Sequence, residues 1–510
     1  MVSVARANPR LSLGQRWLLV LSCLSIALVV ASMAALYTAL PEIAAATGAS
    51  QQQLTWIVDG YTLALAILVL PAGAIGDRYG RRAILIIGLV VFAMGSALPL
   101  VLDTPHWLIA ARAISGVGAA LVMPSTLSLL TAGFPEDRRG SPVGLWAGVA
   151  GAGAVLGILG SGLLVEWWPW WSIFIGMTVA GLVLAMLACT VPESVEGTRP
   201  PIDMWGAVFS AVAVGAVVVA AIEAPARGWL DPFVLASFVT GLVAALLFVV
   251  IDRRIEHPLL DMRLFADRGF SAGTATVAVQ FLVTFGVFMI VVQFLQLVLG
   301  YRPIMSALAL SPIMIPMVAV SVVAPRLAER VGLRWPIMTG LLLISASLFA
   351  LARLDTDSAY LDLLWPLLLM SIGMGLSTAP ATAAIIAGTP VEKHGVAAAV
   401  NDAAREVGAA LGIAIAGSVL AAGYRDHIAP ALPRVPEQAR GPVEDSLAGA
   451  LHVSDMAGPV GQPLADLARS AFMSGAQQSA IALAWATLVA TVLVAIWAPG
   501  KSMGRSTTGC

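Results

Sequence analysis

The chain has 510 residues, of which 59% are hydrophobic and 11% charged, and a mean hydropathy of +0.91. Soluble domains carry about 25% charged residues, so water is excluded as the main solvent. A net charge of -1 leaves no basic field for nucleic acid, and Cys23, Cys189 and Cys510 support neither a disulfide framework nor a metal site.

Crossing the hydrocarbon layer takes about 20 mostly apolar residues. Fourteen such runs occur here, which predicts an all-α polytopic membrane protein. A tail, 1–16, precedes a first run too long for the h-region of a signal peptide. Six runs, 17–40, 53–75, 83–102, 107–131, 143–165 and 170–191, form a first set spanning 17–191. Runs at 204–222 and 232–251 follow as an inserted pair, then a polar connection at 252–270. A second set, 271–498, holds runs 271–299, 303–325, 334–353, 362–387, 395–422 and 478–498; a Pro-, Gly- and Ala-rich connection, 423–477, interrupts it, and a tail, 499–510, ends the chain.

Loops on the cytoplasmic side hold the excess of Lys and Arg. Alternate connections carry nineteen and seven of them, which places both termini in the cytoplasm. Arg outnumbers Lys 26 to 2, as in GC-rich bacteria, so a bacterial inner membrane is expected.

Residues 73–82 read GAIGDRYGRR and 325–334 read PRLAERVGLR, so Asp77, Arg78, Gly80 and Arg82 return as Glu329, Arg330, Gly332 and Arg334 at a constant offset of 252. Both copies follow the second run of a six-run set. Duplicated halves around a central pathway are a transporter architecture.

The first copy, with Gly73, Asp77, Arg78, Gly80, Arg81 and Arg82, resembles the loop signature of the major facilitator superfamily. Fourteen runs and the segment WIVDGYTLALAILVLPAG narrow the resemblance to the EmrB/QacA-like drug:proton antiporter branch. LIAARAISGVGAALVMPSTLSLL, with Arg112 and Gly116, and the glycine-spaced GLWAGVAGAGAVLGILGSGLL look like further motifs of it. The resemblance implies two six-helix bundles plus two inserted helices, alternating access, and proton-coupled efflux of lipophilic, cationic drugs. Two departures stand out: Ser32 lies where many members have an acid, and Gly157-Ile158 replaces the usual Gly-Pro.

A charge at bilayer depth costs at least about 2.5 kcal/mol, so ionisable residues inside runs are candidates for work. Asp59 is one, and the resemblance implies a coupling role for it. Asp402 and Glu406, four apart, share a helix face, with Arg405 placed to pair with Asp402. Burial and a nearby cation act oppositely on a carboxylate, which suits proton exchange as its surroundings alternate. Arg112 is implied by the resemblance to assist proton transfer or to hold a buried acid. Trp56, Tyr61, Gln280, Gln293, Gln296 and Asn401 are expected around the substrate. The latch would comprise Gly73, Asp77, Arg78, Gly80, Arg81 and Arg82, with Glu329 and Arg330 from the second copy. Gly153, Gly157 and Gly160 are expected to let backbones approach closely.

The nearest approach to a phosphate-cradling loop, PGKS at 499–502, lacks the upstream glycine, and neither HExxH nor CxxC occurs. An enzyme is therefore not expected, nor is a cofactor. A monomer exchanging a small molecule for protons across the lipid bilayer is the leading expectation. Export of a specific metabolite, lipid or antibiotic, and uniport without protons, stay open beside it.

Overall fold

A computed structural model describes residues 11–49, 51–135, 138–193, 203–255, 258–390 and 393–500. Most of both expected tails, with Arg199, His257 and Cys510, lies outside the described residues. In lipid each backbone polar group must be satisfied within the protein, and every regular element described here is helical.

Fourteen apolar helices run the length of the bundle: α1 (Leu13–Ala35), α2 (Gln51–Tyr79), α3 (Arg81–Ala97), α4 (Pro105–Gly133), α5 (Gly140–Trp167), α6 (Ser172–Ala188), α7 (Met204–Arg227), α8 (Pro232–Asp252), α9 (Arg268–Gln293), α10 (Met314–Val331), α11 (Arg334–Leu351), α12 (Tyr360–Ala387), α13 (His394–Ile428) and α14 (Gln462–Trp497). Among the described residues thirteen spans, with α3 counted through Leu100 and α10 from Pro303, are long enough to cross a membrane by the usual length and apolarity, and α6, with 17 residues, is shorter. The starts are chemically marked. Ser12 and Gln15 cap α1 reciprocally, each accepting the other's amide at 3.2 Å. Asp203, Asp231 and Asp267 accept amides at the starts of α7, α8 and α9.

The helices form two six-helix bundles. α1 packs on α5, and α4 on α2 and α3, in the first; α9 packs on α13, α11 on α12, and α14 on α11 and α13 in the second. Contacts of α2 with α13 and of α5 with α10 and α12 join the halves. The inserted α7 lies against both α2 and α13, where Ala66, Val218, Ala221, Ala410 and Ala414 form a small apolar cluster. It thus covers one seam between the halves.

Several boundaries differ from the sequence reading. α13 continues to Ile428 and α14 begins at Gln462, so the expected 423–477 connection shrinks. What remains is largely helical, with Glu437–Asp445 and Leu447–Ala457 packed together and held by Tyr424, whose hydroxyl donates to the Val443 carbonyl at 2.9 Å. The turns that extend α13 and α14 carry Arg425, His427, Asp466 and Arg469, so polarity ended the apolar runs before the backbone ended the helices.

Glycines set the closest approaches. A Cβ at Gly157 would lie 2.8 Å from backbone atoms of Ala31, and one at Gly153 would lie 2.6 Å from the Val30 Cβ, so α5 meets α1 where α5 itself carries no side chain. Gly160 does not share this role: nothing lies within 4 Å of its Cβ position, because it faces outward. A second glycine pair, Gly408 and Gly412, brings α13 equally close to Ala278 and Leu282 of α9. Gly157→Val is therefore expected to destabilise the protein by about 3 kcal/mol through overpacking, while Gly160→Val leaves it near wild type. Thermal unfolding in detergent checks this, and equal shifts in the two variants would refute it.

Candidate functional site

Three clusters of buried polar groups lie along the seams between helices. At the arginine-rich end, where α1 begins and α14 ends, Asp77 closes α2 onto α13. Its Oδ1 accepts the Gly395 amide at 3.0 Å and its Oδ2 accepts the Val396 amide at 3.1 Å. These are free amides of a helix start, which favour an anion. Arg81 donates to the same carboxylate through Nε and Nη2 at 3.1 and 3.0 Å. Gly73 lies so close to Gly395 and Ala399 that a Cβ would collide. Arg82 turns the other way, donating to the Val191 carbonyl at 3.0 Å and pairing with Glu193 at 3.5 Å. Arg78 lies over the Tyr79 ring, 5.5 Å from its centroid.

The second copy of the repeat is placed equivalently. Gly80 and Gly332 both have positive φ, 107° and 91°, the conformation that glycine adopts most readily as α2 and α10 turn into the next helix. Pro325 and Glu329 approach Gly140, the first residue of α5, as Gly73 and Asp77 approach the start of α13. Glu329 and Arg330 are exposed, so this second contact is the looser one.

The second cluster surrounds Arg112 on α4, 1% exposed. Its Nη1 donates to Ser32 Oγ at 2.9 Å, its Nη2 to the Ser32 carbonyl at 3.0 Å and its Nε to the Ile57 carbonyl at 3.2 Å. The Tyr61 ring lies 4.3 Å from the guanidinium, and the Tyr61 hydroxyl donates to the Val29 carbonyl. Every partner is electrically neutral. Tyr61 is accordingly buried among α1, α2 and α4, outside the lining of the cavity between the halves.

The third cluster is on α13. Arg405 Nη1 meets Asp402 Oδ1 at 3.5 Å, and Asn401 donates to the same oxygen at 3.2 Å while accepting from Thr382 at 3.0 Å. Glu406 is buried beside them, and its Oε2 has no partner among the described residues. Gln280 on α9 bonds Ser377 and accepts from Thr378 at 2.7 Å. Asp59 is separate, half-buried on α2, which packs against α7 and its Glu223. Glu223 is itself paired with Arg227 at 2.5 Å. Its spacing of four from Arg227 at the end of an apolar run was the available sequence signal.

Between the halves lies a cavity whose walls come from α1, α5, α9, α10 and α12, including Val30, Gly151, Phe281, Phe285, Phe288, Met317, Met370 and Met374. Its polar members are Thr284 and Ser371. The expected lining residues stand elsewhere. Gln293 donates to the Met289 carbonyl of its own helix, Gln296 lies in the π-helical turn Phe294–Val298, and Trp56 is half-buried on α2. Gln280 and Asn401 are fully buried in their networks.

The profile of the Major Facilitator Superfamily matches residues 22–413. The chain belongs to this superfamily. It is thus a transporter and not an enzyme. It is 34% identical to the "Multidrug resistance protein Stp" of Mycobacterium tuberculosis over 398 residues, 78% of this chain and 74% of that one. It is 32% identical to the "Methyl viologen resistance protein SmvA" of Salmonella typhimurium over 443 residues, 86% of this chain and 89% of that one. Among solved structures, the human organic anion transporter MFSD10 shares the fold with a TM-score of 0.62 at 13% identity, covering 94% of this chain and 99% of that one.

The Asp77 contact generates a prediction. Each hydrogen bond to an ionised group contributes about 1.5–3 kcal/mol, so Asp77→Ala should shift the population toward states open at the arginine-rich end by roughly tenfold or more. Spin labels on the ends of α2 and α13 should then show a longer distance component. An unchanged distance distribution would rule out a latch.

Proposed function

We propose that this protein exports lipophilic, cationic drugs in exchange for protons, by alternating access across a bacterial inner membrane, as a monomer with both termini in the cytoplasm. The observation that carries this reading is the cavity between the halves. Aromatic rings attract cations and methionines adapt to varied shapes, which suits a site for flat, charged, lipophilic molecules of several kinds. Beside it, on α13, Asp402 and Glu406 are carboxylates with little compensation, which suits proton binding and release. Two relatives, a multidrug resistance protein and a methyl viologen resistance protein, support the drug class, and methyl viologen is itself a flat dication. One cavity made by two halves of one chain needs no second copy.

In the proposed cycle Glu406 and Asp402, with Asp59, carry protons inward. The membrane potential contributes about 2.3 kcal/mol per charge per 100 mV, in addition to the pH gradient. Asp77 and Arg81 hold the cytoplasmic side shut until the halves rock, with Glu329 as the weaker counterpart.

Arg112 favours a second reading. Its only described partners are neutral, because Ser32 stands where an acid would make a proton-carrying pair. That is what uniport, or antiport with one proton carrier fewer, would show.

Purified protein in liposomes, with an inward proton gradient, tests both. Lumenal pH is followed on adding a lipophilic cation, alongside tracer flux. Antiport predicts proton movement that depends on the cation and falls at least about tenfold in Glu406→Gln, since removing an essential carrier breaks the exchange. Tracer flux without proton movement in wild type would favour uniport instead.

A further inference from the structure

Arg405 is held between two aromatic rings from different halves. Its guanidinium carbon lies 4.4 Å from the Phe281 ring centroid on α9 and 5.5 Å from that of Trp146 on α5. Its polar contacts are weak by comparison. The Asp402 bond is long, at 3.5 Å, and Nε donates to no acceptor among the described residues. Asp402 Oδ2 and Glu406 Oε2 are likewise without partners there, although Asp402, Arg405 and Glu406 are 0%, 3% and 3% exposed. A buried cation shared between π faces and two under-compensated carboxylates has two places to settle, and the rings set the balance.

The two rings have different neighbours. Phe281 also forms part of the cavity wall and stacks on Phe285 with centroids 6.0 Å apart. Trp146 is outside the cavity lining and is fixed by its Nε1, which donates to Thr126 Oγ1 at 3.1 Å. The helices packed on α13 carry other ionisable groups. α2 brings Asp59, Tyr61 and, at the arginine-rich end, Asp77; α4 brings Arg112; α7 brings Glu223, already paired with Arg227. α5 and α9 present Trp146, Gln280 and Phe281, and α12 presents Thr382, all uncharged.

We propose that Trp146 and Phe281 form an aromatic clamp on Arg405, and that a lipophilic cation entering the cavity competes for the Phe281 ring, driving Arg405 onto the Asp402 and Glu406 carboxylates. Guanidinium approach favours the ionised acid, so one carboxyl O–H bond breaks, its proton passes to water, and the carboxylate pairs with Arg405. When the cation leaves, Arg405 returns to the rings and the carboxylate takes a proton back. This deepens the antiport reading and rests on it. Trp146 is a positioning residue in this scheme, and Phe281 both positions Arg405 and touches substrate.

The test measures protons released per tetraphenylphosphonium bound to the detergent-purified full chain in weak buffer, with binding followed by tracer. Wild type is expected to release protons on binding. Losing one ring should move the Arg405 balance by about tenfold, so Phe281→Leu and Trp146→Leu should release several-fold fewer protons per bound probe. Phe281→Tyr and Trp146→Phe, which keep an aromatic face, should behave as wild type. If Phe281→Leu loses the probe because it lines the cavity, Trp146→Leu decides alone. Release at the wild-type ratio in the leucine variants overturns the clamp and leaves antiport standing. Equal loss in the leucine and aromatic variants also overturns it, because packing rather than a π face would then matter. No release in wild type removes the antiport reading and the clamp together.

Discussion

An ion placed in a hydrocarbon interior must find its compensation inside the protein, because no water is there to supply it. The buried ions of this protein meet that demand in three ways. Asp77 uses helix amides and Arg81, which together fill both its oxygens. Arg112 uses a hydroxyl, two backbone carbonyls and a tyrosine ring. Arg405 has the thinnest compensation, one long bond to Asp402 and two aromatic rings. Full satisfaction makes a rigid joint and partial satisfaction leaves room for a second arrangement. On that measure the Arg112 site is a brace, while the Arg405 site can change.

The glycines decide where such changes can be passed on. α5 meets α1 through Gly153 and Gly157, and α13 meets α9 through Gly408 and Gly412, with hardly a side chain between the backbones. Without a hydrophobic drive between helices in lipid, that close contact is what holds each pair together. Such contacts tie each half together as a block. The contacts between blocks include the Asp77 cap, the His394–Thr131 hydrogen bond at 3.1 Å, the close approach of Gly144 on α5 to Ser321 on α10, that of Pro325 and Glu329 to the start of α5, and the outer ion pair of Arg302 with Glu166 at 2.8 Å.

Span number, the repeat and the buried charges were all legible in the sequence for one reason: lipid makes each polar residue conspicuous. The same solvent hides other things. An apolar residue facing lipid and one facing a cavity read alike, so Phe281, Phe285, Phe288 and the cavity methionines left no signal, whereas polar residues such as Gln293 and Gln296 stand out although they bond locally or lie at a helix end. Tyr61 misled in the same way, since an aromatic next to Asp59 reads as cavity lining while its ring actually carries the Arg112 cation. Hydropathy also stops at the membrane surface, whereas α13 and α14 continue past it on Arg425, His427, Asp466 and Arg469. Gly160 shows the limit of spacing arguments: it keeps the interval of the packing glycines roughly, but the helix turns it to the outside.

One helix joins the two ends of the proposed mechanism. α13 starts at His394 with the amides that Asp77 caps, and two to three turns later, about 10 to 17 Å along the axis, it carries Asp402, Arg405 and Glu406. A continuous helix over that distance behaves as a rod, so a rocking motion that pulls α13 away from Asp77 must also move Arg405 relative to Trp146, which belongs to the other block. No chain of side chains is needed to carry the message. The duplicated half cannot do the same, because its equivalent contact is the exposed Glu329 against the start of α5, and α5 has no buried acid along its length. Duplication supplied two similar frames, and the asymmetry between α5 and α13 is what would give the cycle a single proton-bearing side.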